Sequence, residues 1–255
     1  CACRHHPLSA AGYCGSALWQ SDESTVARPV YSGVCRFVGN FFSSTALHVS
    51  VMKTTDTQYV AAFDFDGTIT RKDTFIDFAR FAVPMTRFLG GLILFSPLLV
   101  LVVLKLISGG WVKERLFAFY FRGWRRDDYC AAAQVYCDSR FSILIRTRAR
   151  LCIADHLSAG NEVLLVSACT EEVLRPFAAR LGIKPENVLG TRTAFLNGRL
   201  TGDFAGINCK GAEKVRRLLA RLPNRSGYHL DAYGDSDGDK ELLAFADNGF
   251  YKVFE

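Results

Sequence analysis

Residues 62–70 read AFDFDGTIT, and this stretch decides the fold. An apolar run, 59–63, leads into it, and a Gly-Thr turn follows its second carboxylate. An apolar run before a glycine turn predicts a buried strand that ends in a loop. Strand alternation points Asp64 and Asp66 the same way, toward the ligand crevice at the carboxyl end of an open α/β sheet. Two carboxylates this close need a shared proton or a cation, and Mg²⁺ prefers such oxygen ligands.

Three later segments carry polar groups at or near the ends of strand and helix patterns. Residues 164–167 give an apolar strand pattern that ends in a hydroxyl residue. Lys210 and Lys214 flank the start of a basic amphipathic helix, and residues 233–239, YGDSDGD, run from an apolar strand into an acidic turn. Together with AFDFDGTIT, these segments resemble the four motifs of the haloacid-dehalogenase (HAD) superfamily of phosphatases, in the same order. The resemblance covers residues 57–255.

The resemblance implies phosphoryl transfer in two steps. Asp64 is the expected nucleophile, which forms an aspartyl-phosphate. Asp66 is the expected general acid, which protonates the leaving alkoxide and then acts as the base that activates water. Ser167 and the adjacent Ala168 are expected to bind phosphate oxygens, and a lysine is expected to neutralise another oxygen.

The resemblance also implies a Mg²⁺ cofactor. Asp64, Asp235 and Asp66, the last through its backbone carbonyl, are the expected ligands. Asp239 is expected to lie beside the metal or to orient the lysine. The ion would neutralise charge that otherwise repels a phosphate dianion.

Two lysines compete for the phosphate-binding position. Lys214, at the end of the sequence GAEK, fits the branch of the superfamily that this chain resembles most. Lys210, just before the helix, fits the phosphoserine-phosphatase pattern. The two are four residues apart, so they would share one face if both were helical. We favour Lys214 and keep Lys210 as the alternative.

The order of strand and helix patterns predicts the domain organisation. Their alternation in the second half of the chain favours an α/β fold with a doubly wound parallel sheet, built from residues 57–70 and 159–255. The mainly helical segment 71–158 resembles the inserted cap of the phosphoserine-phosphatase-like branch, subfamily IB. Residues 1–51 lack clear periodicity. We interpret them as an N-terminal extension and keep disorder of this segment as a hypothesis.

An apolar segment at 88–107 raises the question of membrane contact. Its first part, 88–104, holds seventeen residues without a charge, which is close to the length of a membrane span. One full crossing would separate the first motif from the others, so we expect a re-entrant or interfacial element instead. Ser96 and Pro97 suit an N-cap and a first helical position, which predicts two short helices that meet at a kink. The alternative is an apolar cap helix buried against the core or in a dimer.

A membrane-seated phosphatase suits a phospholipid headgroup, and a net charge of +6 over 255 residues suits an anionic substrate or surface. The pattern resembles the phosphatidylglycerophosphatase C-like branch, which converts phosphatidylglycerophosphate to phosphatidylglycerol. We therefore expect a phosphomonoester substrate, a membrane partner at the cytoplasmic face of the inner membrane, and no nucleic-acid partner. The alternatives are a soluble cytoplasmic phosphatase for a small metabolite such as phosphoserine, a phosphotransferase, and a catalytically silent membrane adaptor.

Overall fold

A five-stranded parallel sheet forms the centre of the computed structural model, which describes residues 58–255. The strands of the described residues, in this sheet and in a separate hairpin, are β1 (Gln58–Phe63), β2 (Glu162–Thr170), β3 (Val188–Thr191), β4 (Thr193–Leu196), β5 (Arg199–Phe204), β6 (Tyr228–Gly234) and β7 (Asn248–Tyr251). The sheet has the order β3-β2-β1-β6-β7, and β4 and β5 form a separate antiparallel hairpin. The prediction for residues 1–51 lies outside the described residues.

Helices cover both faces of the sheet. They are α1 (Thr74–Ala82), α2 (Met85–Val103), α3 (Gly109–Phe121), α4 (Arg126–Leu144), α5 (Thr147–Ser158), α6 (Glu171–Arg180), α7 (Ala212–Arg221) and α8 (Lys240–Phe245). Phe63 of β1 packs into the core that contains Ile153 of α5, whereas the preceding Ala62 packs into the core that contains Leu218 of α7. Alternate residues of one strand thus face opposite layers. The predicted α/β fold with a doubly wound parallel sheet is confirmed.

Strand register places the ends of β1 and β6 side by side. Phe63 pairs with Leu165 on one side and with Tyr233 on the other. The Asp64 N–H continues this ladder by donating to the Tyr233 carbonyl at 2.9 Å. Because the strands are parallel, the residues that follow them emerge at one edge of the sheet, where Asp64 and Asp235 lie.

The chain leaves the sheet for the helical segment and returns to it through two paired connections. The Arg71 N–H donates to the Leu144 carbonyl, and the Arg146 N–H donates to the Ile69 carbonyl, both at 2.9 Å. The helix that follows, α5, packs on the sheet, where the His156 Nε2 lies 3.0 Å from the Tyr233 hydroxyl. The return to the sheet therefore comes at residues 144–146, ahead of the boundary at 158 that the sequence pattern predicts.

The helical segment has an aromatic core of its own. The Phe78 ring of α1 lies 5.5 Å from the rings of Phe121 and Tyr129 and 5.2 Å from the ring of Tyr136, measured between centroids. The Tyr136 hydroxyl donates to Asp77 at 2.9 Å, so its polar end is satisfied. Buried aromatic pairs of this kind contribute more than their buried area alone. They hold α1, α3 and α4 together above the carboxyl edge of β1.

The structure contradicts the predicted pair of short helices around Ser96 and Pro97. Helix α2 runs without a break from Met85 to Val103, with Pro97 inside it. Proline cannot donate to the carbonyl four residues earlier, which belongs to Ile93. The Ser96 hydroxyl donates to that carbonyl at 2.8 Å instead. The serine that the pattern favours as an N-cap therefore replaces the missing donor, and the helix continues.

A hairpin does exist in this region, but it is formed by α2 and α3. The Phe88 carbonyl near the start of α2 accepts from the Tyr120 hydroxyl near the end of α3 at 3.0 Å. At the other end, Val102 lies against Gly109. The two helices are therefore antiparallel, and residues 104–108 form the turn between them.

Candidate active site

Lys214 lies at the centre of the cleft at the carboxyl edge of the sheet. Its Nζ is 2.5 Å from Oδ1 of Asp64 and 2.5 Å from Oδ1 of Asp239. All three side chains are at least 93% buried. A buried ammonium between two buried carboxylates is held by both charge and hydrogen bonding, so its position is well defined.

The start of α7 explains why Lys214 reaches the cleft. Gly211 has a φ of 63° and precedes the helix, and its N–H donates to the Gly238 carbonyl at 2.9 Å. This fixes the phase of the helix relative to the loop after β6. Lys214 and Leu218 then share the inward face, one turn apart. Lys210 falls before the helix and is exposed, although it also lines the cleft.

Burial and the shared lysine set the charges of this cluster. Burial raises the pKa of Asp64 to about 6, although the neighbouring Lys214 opposes the rise. Burial also disfavours the charged forms of Lys214 and Asp239, but the attraction of Lys214 to Asp64 and to Asp239 outweighs it. The pKa of Lys214 is therefore raised and that of Asp239 is lowered. At neutral pH the lysine is a cation and Asp64 is ionised, as a nucleophile must be.

Asp66 lies in a different environment from Asp64. Its Oδ1 accepts from the backbone N–H of Thr74 at 2.8 Å and from the Thr74 hydroxyl at 2.6 Å. Burial, followed by repulsion from Asp73, raises the pKa of Asp66 to about 7, while the Lys113 ammonium opposes the rise. A carboxyl with a pKa near 7 can both give and take a proton at neutral pH, which suits a general acid and base.

Asp235 completes the acidic group at the sheet edge. One of its carboxylate oxygens accepts from the Thr68 hydroxyl at 3.0 Å. The other lies so close to Gly67 that a β-carbon there would approach it to 2.2 Å. Gly67 also has a φ of 84°, which favours glycine. The glycine of AFDFDGTIT is therefore needed for both the turn and the space beside Asp235.

The oxygen-rich group fits a hard cation such as Mg²⁺. Ligand atoms of Asp64, Asp235 and Asp239 lie within 4.8 Å of one another, and hard cations prefer carboxylate oxygens. Asp239 is already engaged: Oδ1 accepts from Lys214, and Oδ2 accepts from the Ser236 hydroxyl at 2.8 Å. Asp239 is thus better placed to orient Lys214 than to hold a metal. Asp64 and Asp235 are the side chains that could hold it.

Ser167 and Ala168 line the same cleft, which encloses about 430 Å³. The Ser167 Oγ accepts from the Cys169 N–H at 3.2 Å, and within residues 58–255 its own hydroxyl hydrogen has no acceptor. It can therefore donate to a bound phosphate oxygen. The Ala168 carbonyl accepts from the Thr191 hydroxyl at 2.9 Å and from Lys113 at 3.1 Å.

The structure thus brings all the predicted site residues to one cleft and adds some that the sequence pattern does not identify. Thr68 and Thr74 orient the carboxylates, and Lys113 enters from α3. Thr68 lies two residues after Asp66 in the same motif, so its role could have been suspected from the sequence. Lys113 lies 47 residues beyond Asp66 in a segment rich in basic and aromatic residues, and no local pattern distinguishes it.

Residues 61–244 match the family of haloacid dehalogenase-like hydrolases, and the chain belongs to this family. The protein CicA of Caulobacter vibrioides is 31% identical over 202 residues, which cover 76% of this chain and 86% of CicA. The histidinol-phosphatase of Neisseria meningitidis is 33% identical over 101 residues, which cover 37% of this chain and 44% of that protein. The predicted enzyme class, a HAD-type phosphatase, is confirmed.

Solved structures show the same fold. A protein of unknown function from Bordetella pertussis has a TM-score of 0.64 at 22% identity, with 74% of this chain and 86% of that chain covered. A phosphoserine phosphohydrolase-like protein from Francisella tularensis has a TM-score of 0.54 at 17% identity, with 76% and 86% covered. The predicted phosphoserine-phosphatase-like architecture is therefore confirmed at the level of the fold.

Proposed function

We propose that this protein is a Mg²⁺-dependent phosphomonoesterase that acts on a phospholipid headgroup, with phosphatidylglycerophosphate as the favoured substrate. The observation that carries the reaction is the buried Lys214 between Asp64 and Asp239, with Asp66 two residues beyond Asp64 and tuned to a pKa of about 7. The observation that favours a lipid is the exposed apolar surface of α2 and of the turn that follows it.

The proposed reaction proceeds through two displacements on phosphorus. An Asp64 oxygen attacks the phosphorus atom while the bond to the leaving oxygen breaks, and Asp66 gives its proton to that oxygen. In the second step Asp66 takes a proton from water, the water oxygen attacks phosphorus, and the bond to Asp64 breaks. Phosphate leaves and both carboxylates return to their starting states.

The negative charge of the transferred phosphoryl group would be matched by hydrogen-bond donors around the cleft. Lys214 and Ser167 line the cleft and would bind phosphate oxygens, while Asp239 accepts from the lysine and would hold it in position. A Mg²⁺ ion held by Asp64 and Asp235 would supply further positive charge against the phosphate dianion.

The membrane part of the proposal comes from α2. This 19-residue helix has a mean hydropathy of 2.1, and its buried residues are Phe88 and Gly91. The apolar side chains exposed along it and in the following turn are Met85, Leu89, Ile93, Leu94, Val100, Val103, Leu104 and Leu106. A contiguous exposed apolar surface of this kind marks an interaction site. We propose that it inserts into one leaflet, at the cytoplasmic face of the inner membrane, as an interfacial helix.

Charge placed at the tip of this surface is expected to release the protein from lipid. The double variant Val103→Asp/Leu106→Asp replaces two exposed apolar side chains with carboxylates. The free energy gained by moving these side chains from water into the bilayer is then lost. Binding to vesicles containing phosphatidylglycerol, measured by flotation, should fall by roughly 100-fold or more. The matched control is Val135→Asp/Ile143→Asp, which adds the same charges to exposed apolar positions of α4. Equal vesicle binding by the two double variants would contradict the proposed membrane surface.

A soluble metabolite phosphatase is the second candidate. The observation that favours it is the set of phosphatases among the similar proteins, including the histidinol-phosphatase and structures of phosphoserine phosphatase. In that case α2 would be covered by another protein surface. A silent adaptor is disfavoured, because a noncatalytic module has no use for the buried Lys214 and the two differently tuned aspartates.

Phosphate release from three substrates tests the proposal. Phosphatidylglycerophosphate in mixed micelles, phosphoserine and histidinol phosphate are compared in the presence of Mg²⁺ and in the presence of chelator. We expect turnover that the chelator abolishes and that is fastest on the lipid. Faster turnover of a soluble substrate would favour the second candidate. Phosphate transfer to added glycerol rather than to water would indicate a phosphotransferase, and turnover unaffected by the chelator would contradict the Mg²⁺ requirement.

A further inference from the structure

Among residues 58–255, three lysines line the catalytic cleft, and they differ in the groups that their ammonium ions contact. Lys214 is engaged by Asp64 and Asp239. Lys210 is exposed at the cleft opening. Lys113 projects from α3 and is half-buried, and among residues 58–255 it has no carboxylate within 4.0 Å. The cleft therefore contains a partly desolvated cation that influences the pKa of Asp66 but has no contact assigned to it in the proposed phosphoryl transfer.

The contacts of Lys113 leave most of its hydrogen-bonding capacity free. Its Nζ donates to the Ala168 carbonyl at 3.1 Å and lies 5.2 Å from the centre of the Phe75 ring. An ammonium has three N–H donors, so two remain for a molecule bound in the cleft. The carbonyl and the ring hold the side chain in place, which lowers the entropy cost of using it for binding.

Lys113 lies on the side of the cleft where the leaving group must be. It belongs to the helical segment, whereas the sheet edge supplies Asp64, Ser167 and Asp235. Asp66, which would protonate the leaving oxygen, accepts hydrogen bonds from Thr74 at the start of α1, and Asp73 caps that helix. A negatively charged leaving group would be repelled by these carboxylates unless a cation lay nearby.

We propose that Lys113 forms a subsite for a second anionic group, carried by the alcohol part of the substrate. The preferred substrate is then a phosphomonoester whose leaving alcohol is itself negatively charged. The phosphodiester of a lipid headgroup and the carboxylate of a small metabolite both supply such a charge. The inference rests on the proposed phosphomonoesterase activity and narrows its substrate class.

The walls of the cleft leave room for such a group. Gly109 and Gly110 precede Lys113 in α3 and also line the cleft, so these two positions add no side chain to its wall. Asn208 lies next to Gly110, because its Nδ2 is 3.3 Å from the position a β-carbon of Gly110 would take. Its amide N–H groups and the ammonium of Lys210 can contact the same anion.

The test compares leaving groups with and without a charge in the variant Lys113→Met. Steady-state kinetics are measured with phosphatidylglycerophosphate in mixed micelles, with phosphoserine and with p-nitrophenyl phosphate, whose leaving group lacks a second anionic group. We expect KM for at least one anionic substrate to rise roughly 10- to 100-fold, the usual effect of losing one hydrogen bond to a charged group. The rise should exceed that for p-nitrophenyl phosphate at least tenfold. Lys113→Arg should restore part of the selectivity.

Arg80→Met is the matched control, since it removes an exposed cation from the helical segment away from the cleft. A rise confined to the lipid assigns the subsite to a phosphodiester, and a rise confined to phosphoserine assigns it to a carboxylate. Equal losses on all three substrates, or no losses, would overturn the subsite. If the unsubstituted enzyme hydrolyses p-nitrophenyl phosphate but neither anionic substrate, the subsite is also overturned while the phosphomonoesterase proposal stands. Failure to hydrolyse any of the three contradicts that proposal itself.

Discussion

Asp64→Asn is expected to reduce phosphate release by about 10⁴-fold or more, since an amide oxygen is too weak a nucleophile to displace an alkoxide from phosphorus. The substitution changes shape very little. The amide oxygen can still accept from Lys214, and Asp239 still neutralises the lysine. The variant should therefore fold with near-normal stability. Turnover is measured as phosphate release, and folding is followed by circular dichroism and thermal unfolding.

A second measurement distinguishes a nucleophilic role of Asp64 from a general electrostatic role. The unsubstituted enzyme should form a phosphorylated species that hydroxylamine cleaves, as an acyl phosphate does, and Asp64→Asn should not form it. Asp155→Asn serves as the control, because Asp155 is an exposed residue on α5. Substantial turnover or hydroxylamine-sensitive labelling in Asp64→Asn would remove Asp64 from the proposed role.

The sheet edge can be predicted from the sequence because it depends on local patterns. A buried strand ends where apolar residues give way to a polar turn, and parallel strands bring such ends together. The patterns alone point Asp64 and Asp66 into this crevice, and the resemblance to the HAD motifs adds Ser167 and Asp235. The structure places all four in the lining of one cleft.

Hydrophobic periodicity does not decide between Lys210 and Lys214, because the choice depends on helix phase; only the resemblance to the superfamily favours Lys214. Both residues lie near the start of the same helix, and their spacing allows either to face inward. The deciding contact is nonlocal: Gly211 takes a positive φ and donates to Gly238, so α7 begins after Lys210. Neither the positive φ nor the partner is visible in a hydrophobic pattern.

The course of helix α2 and the position of Lys113 cannot be predicted from local sequence patterns, because both depend on tertiary contacts. A Ser-Pro pair is a sound signal for a helix start, but the Ser96 hydroxyl can also satisfy the carbonyl that proline leaves free. Which outcome prevails depends on the packing of α2 against α3, as at Phe88 and Tyr120. Lys113 reaches the cleft only because this same hairpin is folded above the sheet edge. Tertiary contacts decide both cases.

Lys214→Met is expected to impair both catalysis and stability. Removal of the ammonium takes a donor from the transferred phosphate, which should lower kcat/KM by roughly 10²- to 10³-fold. It also leaves Asp64 and Asp239 buried without their shared cation, at a cost of about 3–5 kcal/mol in the free energy of unfolding. The matched control is Lys210→Met, which removes an exposed lysine from the same cleft and should change unfolding free energy by less than about 0.5 kcal/mol.

The pH dependence of the free energy of unfolding distinguishes the loss of the cation shared by Asp64 and Asp239 from a simple loss of side-chain packing. Without Lys214, burial raises the folded-state pKa of both carboxyls above their unfolded values, so the folded protein binds more protons than the unfolded chain. The stability of Lys214→Met should then fall as pH rises. The loss of stability relative to the unsubstituted protein should therefore be larger at pH 8 than at pH 5. The added substitution Asp239→Asn should recover part of the stability but none of the activity, because it removes one buried charge without restoring the ammonium. A deficit independent of pH, or an equal one in Lys210→Met, would show that Lys214 does not hold the carboxylates together.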